Sequence, residues 1–244
     1  GIVTQEVVDF MNSLVRKSPN EDNHEKYQSG GLSIIVTTNT KLNKINTEKI
    51  NKLLPNAESM SRTAPDRAVN LPSSQAPPPP EKLSYSQRGG APKNLVLKIG
   101  APIIITANDL KYKEDGILNG ARGYVDSFQF FHGSETEVEY IWVVFKDKNV
   151  GKRLKWDRYH LRRKFKPSRP EALPIKVSKI RFQVGSVRYE TIQFTMMPAY
   201  AVTVHKSQGD SLDEVIIDFS SQKTKIFLGS FYVALTRVRN GSSF

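Results

Sequence analysis

The sequence predicts an α/β fold interrupted by a small β-barrel, and three patterns predict it. The β-branched run LSIIVTT (32–38) follows the Gly30-Gly31 pair and leads straight into KLNKINTEKINKLL, read as a helix. From Leu95 the pattern becomes a series of short strands with turn punctuation, as in a small barrel. EVIIDF (214–219) is then short and mostly apolar, as strands of a buried parallel sheet are.

Each element follows from its own residues. Val3, Val7, Phe10, Met11 and Leu14 stand three and four apart, so residues 2–15 are predicted as an amphipathic helix. The charged run SPNEDNHEKYQSGG reads as a solvated loop before the first strand. Asn39 or Thr40 is expected to cap the helix that follows, which gives half of a βαβ unit. Residues 55–93, with Pro77 to Pro80 in a row and many Ser, Gly and Ala, are expected to be irregular. Beyond them LVLKIGAPIIITA, NGARGYVDSF, VEYIWVVFK and GKRLKWDRYHL are predicted strands, the last placing Leu154 and Trp156 on one face. Asn119-Gly120 and Gly123 are expected to supply the positive φ angles of tight turns. KVSKIRFQV and VRYETIQFT, within 176–195, are two further strands. Pro198 suits a first helical turn and Gly209 the position past a helix end, so 198–208 is read as a short helix, although periodicity alone does not exclude a strand. FYVALTRVRN (231–240) is a second short helix between Ser230 as N-cap and Gly241, with Phe231, Ala234, Leu235 and Val238 inward.

Composition bounds the partners. The 244 residues, 38% hydrophobic, suffice for a real core. Thirty-six Lys and Arg against 24 Asp and Glu give a formal charge of +12, which favours an anionic partner, nucleic acid first and a membrane surface second. There is no cysteine, so there is no disulfide framework or thiolate metal site, and His24, His132, His160 and His205 are too scattered for zinc. No apolar stretch approaches the roughly 18 residues that span a bilayer, and GIVTQEVVDF lacks a signal-type core. No membrane partner is expected, and an intracellular location fits. The first residue is not Met, so the chain is expected to be a piece of a longer one.

Two stretches carry candidate chemistry. On the helical reading of 198–208, Thr203, Lys206, Ser207 and Asp210 form one polar stripe, and Ala201, Val204, His205 and Gln208 the adjacent one. A cation, hydroxyls and a glycine-exposed N–H are the partners phosphate oxygens need, while a solvated helix face is the competing account. Arg237 and Arg239 project from the second short helix. A planar guanidinium that keeps its charge suits a γ-phosphate, where a helix-terminal Arg otherwise complements the dipole. Upstream, GKRLKWDRYHLRRKFKPSR (151–169) interleaves Lys155, Arg158 and Arg162 with Trp156, Tyr159 and Phe165. Such cations track phosphates and such aromatics stack on bases, unless the aromatics are core and the charges merely solvated.

AYAVTVHKSQGDSLDEVIIDF followed by FYVALTRVRN resembles motifs V and VI of superfamily 1B DNA helicases of the Pif, RecD and Dda kind, including those carried by Helitron transposons. SIIVTTNTKLNKINTEKINKL resembles the motif IV region that opens their second RecA-like domain. LVLKIGAPIIITANDLKYKEDGILNGARGYV resembles the entry into the SH3-like barrel inserted there. The resemblance implies a RecA-like second motor domain in two parts, residues 1–94 (irregular at 55–93) and 171–244, with an SH3-like β-barrel at 95–170 between them. It implies that Arg237 is an arginine finger reaching the γ-phosphate of ATP, and that Gln208 and Gly209 lie on the nucleotide side of the same cleft. Thr203, His205, Lys206 and Ser207, with Thr38 and Asn39 of the motif IV neighbourhood, would face single-stranded DNA. The barrel's Lys155, Trp156, Arg158 and Arg162 would lie along the strand's path.

The sequence also departs from the family pattern. No G-x-x-x-x-G-K-[ST] occurs, and no acidic Walker B strand can be paired with one. Ser230 stands where relatives often show Gln, and Phe244 follows motif VI almost at once. The chain is therefore expected to be the C-terminal half of an ATP-dependent 5′-to-3′ DNA helicase that does not hydrolyse ATP alone. ATP and Mg²⁺ would be held mainly by an N-terminal RecA-like domain of the same parent, and the DNA partner would be a single strand or a fork. The rival reading is a non-enzymatic nucleic-acid-binding module.

Overall fold

A computed structural model describes residues 23–71, 77–79, 83–152, 156–208, 211–218, 233–234 and 236–237. The helix predicted at 2–15 and most of that at 231–240 lie outside the described residues. In chain order the elements are α1 (His24–Gln28), β1 (Leu32–Val36), α2 (Asn39–Leu53), β2 (Ser59–Thr63), β3 (Arg67–Ala68), β4 (Asn94–Lys98), β5 (Pro102–Ile105), a 3₁₀ turn (Lys113–Asp115), β6 (Arg122–Phe130) and β7 (Val138–Phe145). They continue with α3 (Trp156–Phe165), β8 (Leu173–Ile175), β9 (Ser178–Val184), β10 (Val187–Gln193), β11 (Met196–Pro198), β12 (Ala201–Thr203), α4 (Val204–Ser207) and β13 (Glu214–Asp218). The chain divides into two compact units, one made of Gly1–Ile45 with Tyr200–Phe244 and the other of Asn46–Ala199.

In the first unit β1 is buried at every position and lies between β12 and β13, parallel to both. Apart from Ser33 its residues are all apolar, which is what a strand covered on both faces requires. Tyr27 of α1 packs edge-on against Tyr200, with ring centroids 5.3 Å apart. The cap of α2 is Thr38, not Asn39 or Thr40. Its Oγ1 accepts from Lys41 N at 3.3 Å and its carbonyl from Leu42 N at 3.0 Å, because the helix begins at Asn39, two residues before the predicted start at Lys41.

The second unit is antiparallel. Five strands pair in the order β11-β5-β6-β7-β8, and β2 pairs with β4 as a separate ribbon. Met60, Leu95 and Leu97 of the ribbon share one core with Ile103, Val125, Ile141, Val143, Leu173 and Phe194 of the sheet region. The expected barrel is represented by this open arrangement, and no pairing among the described residues closes it, β11 and β8 being its edges. A further sheet, β3-β10-β9, confirms the two strands predicted within 176–195. β2 and β3 fall inside 55–93, where partners distant in sequence supply the ladder that local composition disfavours. The same segment carries a buried charge cluster. Arg88 Nη1 and Nη2 donate to the two Asp66 oxygens at 3.0 and 2.5 Å, Lys93 Nζ donates to Asp66 Oδ2 at 2.8 Å, and Arg88 lies over the Phe182 ring.

Three local expectations are corrected. GKRLKWDRYHL is no strand: Trp156–Phe165 is helical, and Arg153–Lys155 lie outside the described residues. Leu161 and Phe165, one helical turn apart, pack on buried Trp142, so the face that matters has period 3.6, not 2. Residues 198–208 are not one helix. Pro198 ends edge strand β11, Ala201–Thr203 pairs with β1, and only Val204–Ser207 is helical. The Val and Thr content favours extended backbone, and an edge strand tolerates Pro. Gly120 has the expected positive φ, 94°, but Gly123 sits inside β6 opposite Phe145 without one. There a Cβ would stand 2.3 Å from the Val144 carbonyl oxygen, so the glycine permits close strand approach. Gly123→Ala is expected to destabilise by about 1–3 kcal/mol, an overpacking cost. Thermal unfolding checks it: an unchanged Tm would contradict the close approach.

Candidate functional site

The three parallel strands end together. Val36 pairs with Thr203 on one side and Asp218 on the other, so the carboxyl ends of β1, β12 and β13 form a single row. Open α/β sheets bind ligands beyond this edge, where loops from successive strands converge. Thr37 follows β1, and its buried Oγ1 has no hydrogen-bond partner among the described residues. Thr38 is half-buried with its hydroxyl engaged in capping α2, and Asn39 is half-buried beside it. Lys41, one turn into α2, pairs with the Asp218 carboxylate at the end of β13.

From β12 come the remaining candidates. Thr203 is buried, His205 and Gln208 are exposed, and Lys206 is half-buried. Burial disfavours the Lys206 ammonium and pulls its pKa below the ordinary lysine value. Ser207 is fully buried and donates to the Val204 carbonyl at 2.8 Å, so it closes its own turn and does not share a polar stripe with Lys206. Gly209 lies outside the described residues.

Arg237 is half-buried within a short turn. Its Nε donates to the Val233 carbonyl at 2.9 Å and its Nη2 to Thr236 Oγ1 at 2.8 Å. Its own carbonyl accepts from Leu212 N at 2.8 Å, which ties this turn to the segment entering β13. Nη1 has no hydrogen-bond partner among the described residues, so the guanidinium keeps an edge for an anion. Lys155 and the side chains of Trp156 and Arg158 lie outside the described residues, while Arg162 is half-buried near the end of α3.

The structure thus gathers Thr38, Asn39, Thr203, His205 and Lys206 at one sheet edge and turns Ser207 away from it. It adds Thr37 and the Lys41–Asp218 pair, which the sequence reading missed. The signal was available, since the last residues of LSIIVTT and EVIID end adjacent parallel strands and hence share an edge.

No family model matches the chain. It is 26% identical over 241 residues to the ATP-dependent DNA helicase Pif1 of Campylobacter jejuni, a match covering 98% of this chain and 46% of that protein. It is 30% identical over 148 residues to the ATP-dependent DNA helicase PIF1 of Danio rerio, covering 60% of this chain and 18% of that one. Among solved structures, Pif1 helicase from Bacteroides in complex with ADP-AlF3 and single-stranded DNA superposes with a TM-score of 0.60 at 21% identity, covering 99% of this chain and 44% of that one. The chain therefore spans less than half the length of that structure and of these curated relatives. Its fold is the RecA-like helicase fold of these structures, and nearly its whole length is similar in sequence to about half of a Pif1 helicase.

Proposed function

We propose that this Pif1-like segment is the second motor domain of an ATP-dependent 5′-to-3′ DNA helicase, with an inserted SH3-like domain at 95–170. In this reading the carboxyl edge of β12-β1-β13 holds the phosphates of single-stranded DNA, from a free strand or a fork. Thr37, Thr38, Asn39, Thr203, His205 and Lys206 are the residues gathered there. Gln208 and Gly209 are assigned to the nucleotide side, and Arg237 supplies the charge that meets the γ-phosphate. ATP, whose terminal phosphoryl group is the one transferred, and Mg²⁺ would be bound mainly by an N-terminal RecA-like domain of the same parent. Accordingly no role in holding Mg²⁺ is assigned to residues of this chain, and the chain alone is expected to be inactive.

The buried Thr37 hydroxyl beside the strand end, without a hydrogen-bond partner among the described residues, carries this reading, because a buried polar atom wants a partner and a phosphate oxygen would be one. The test is the affinity of the full-length protein for oligothymidylate. Thr37→Val combined with Lys206→Met is expected to weaken binding several-fold, whereas unchanged affinity would favour a DNA path elsewhere.

Lys206 gives an independent readout. Its folded pKa lies below its unfolded one, so the unfolded state binds more protons between the two values and stability rises with pH across that window. A phosphate beside the ammonium reverses the burial effect. Its titration, followed by NMR at the ε-methylene, is expected to move up in pH when oligothymidylate is added. A curve unmoved by DNA would remove Lys206 from the interface.

A further inference from the structure

We infer that the proline run Pro77–Pro80 is a docking peptide, displayed for a second protein whose groove is lined with aromatic rings, independently of the motor assignment. Each proline fixes its own φ at roughly −65° and drives the residue before it into extended backbone. Prolines in succession therefore favour polyproline II, a helix that is ordered before any partner arrives. Their rings also remove every N–H, so the run cannot enter a sheet ladder as a donor. The carbonyls of Pro78 and Pro79 accept no hydrogen bond among the described residues.

The fold holds the start of the run and leaves it accessible. Tyr189 Oη donates to the Pro77 carbonyl at 2.9 Å. The Tyr189 ring is buried and stacks on Phe182, with centroids 5.4 Å apart and an interplanar angle of 18°, and Arg88 lies over the far ring. Pro77 and Pro78 are nevertheless exposed, and Pro79 is half-buried. The buried phenol's need for an acceptor accounts for the one bond. It does not account for rigid apolar rings held out in solvent beside it. Fixing one carbonyl on a packed base lowers the ordering cost a partner would otherwise meet.

The sequence narrows the partner. Pro77 and Pro80 stand three apart, which is one turn of a polyproline II helix, and Lys82 follows two residues later, so the run reads P-x-x-P-x-K. Proline-rich segments of this spacing dock in grooves lined with aromatic rings. The lysine adds a preference for a groove that also carries an acidic side chain. A semi-rigid spacer is the competing account, and it requires neither the exposed rings nor the charge at a set distance from them.

The probe is a dye-labelled SH3 domain from another protein, chosen because it selects P-x-x-P-x-K peptides, and its anisotropy is followed as ligand is added. The ligands are the full-length protein and a free peptide of residues 72–83. The full-length protein is expected to bind several-fold more tightly than the peptide, because its run is already ordered. Pro77→Ala with Pro80→Ala is expected to lower affinity by about tenfold, and Lys82→Glu by about as much. Tyr189→Phe keeps the ring stack and removes only the hydroxyl, so it is expected to bring the full-length protein down to the affinity of the peptide. Binding by neither ligand overturns the site, and so does binding that survives the two alanines. A peptide that binds beside a full-length protein that does not would show the run closed off by its own fold, which also overturns it. Equal affinities for wild type, Tyr189→Phe and peptide overturn the display by Tyr189. All arms are read without ATP or DNA, so failure here is distinct from failure of the motor assignment, which is read by turnover.

Discussion

Arg237→Ala in the full-length protein is expected to lower single-strand-stimulated ATP turnover by roughly 10³–10⁵, the range an arginine finger contributes, and to leave affinity for oligothymidylate near wild type. The expectation comes from the guanidinium's setting. Two of its N–H groups hold it on its own turn through Val233 and Thr236, and its backbone is anchored to Leu212, so the fork is presented from a fixed base. Arg237→Lys should not rescue turnover, because a point charge lacks the planar fork that meets two phosphate oxygens. Phosphate release and anisotropy on the same preparation decide it. Turnover retained in the alanine variant would remove Arg237 from the nucleotide site, whereas a full-length protein with no strand-stimulated turnover at all would leave the non-enzymatic nucleic-acid module as the better reading.

Arg88→Met is expected to destabilise the protein by about 3–5 kcal/mol, the cost of leaving a buried charge without its partner. Arg88 and Asp66 are each 2% exposed, and the guanidinium also bonds the Ala91 carbonyl through Nε at 3.1 Å. Lys93 touches the same carboxylate but is much more exposed, so it does not replace Arg88. Burial alone would raise the Asp66 pKa, yet the hydrogen bonds from Arg88 and Lys93 hold it below the ordinary carboxylate value. The folded pKa is thus the lower one. The carboxylate's contribution is complete above the unfolded value near 4 and is lost as pH falls through the folded value. Chemical denaturation at neutral and acidic pH tests both points, and a variant as stable as wild type at neutral pH would show the pair to be dispensable.

Where one residue type decided the outcome, the sequence could be read correctly. LSIIV is a strand buried at every position and EVIID pairs parallel beside it, as their β-branched centres predict, although only Val215 of EVIID is buried, and Gly120 turns the chain as expected. Where two structures competed for the same residues, reading failed. GKRLKWDRYHL alternates well enough at Leu154 and Trp156 for a strand, but from Trp156 on the chain is helical, and Leu161 and Phe165 reach the cluster of Trp142, Val144 and Ala172 only in a helix. AVTVHKS has the cations and hydroxyls of a polar helix face, yet its first three residues complete a ladder with β1. The site was legible as a list of groups that hold phosphate. It was not legible as an edge, because Thr37 and Asp218 become neighbours only through pairing between distant segments. Nor does sequence show that Asp66 will find Arg88 across a proline-rich stretch.

The middle strand of the parallel sheet is among the first elements of the chain, while both strands that flank it follow residue 199, with the whole of Asn46–Ala199 between. On a ribosome, LSIIV therefore emerges long before either neighbour exists. The intervening unit, whose described pairings are all internal, is free to condense in the meantime, and closing the outer sheet then completes a long loop that is already ordered. Until that late step this buried, β-branched strand has no ladder of its own, which makes the order of synthesis a hazard that this topology must survive.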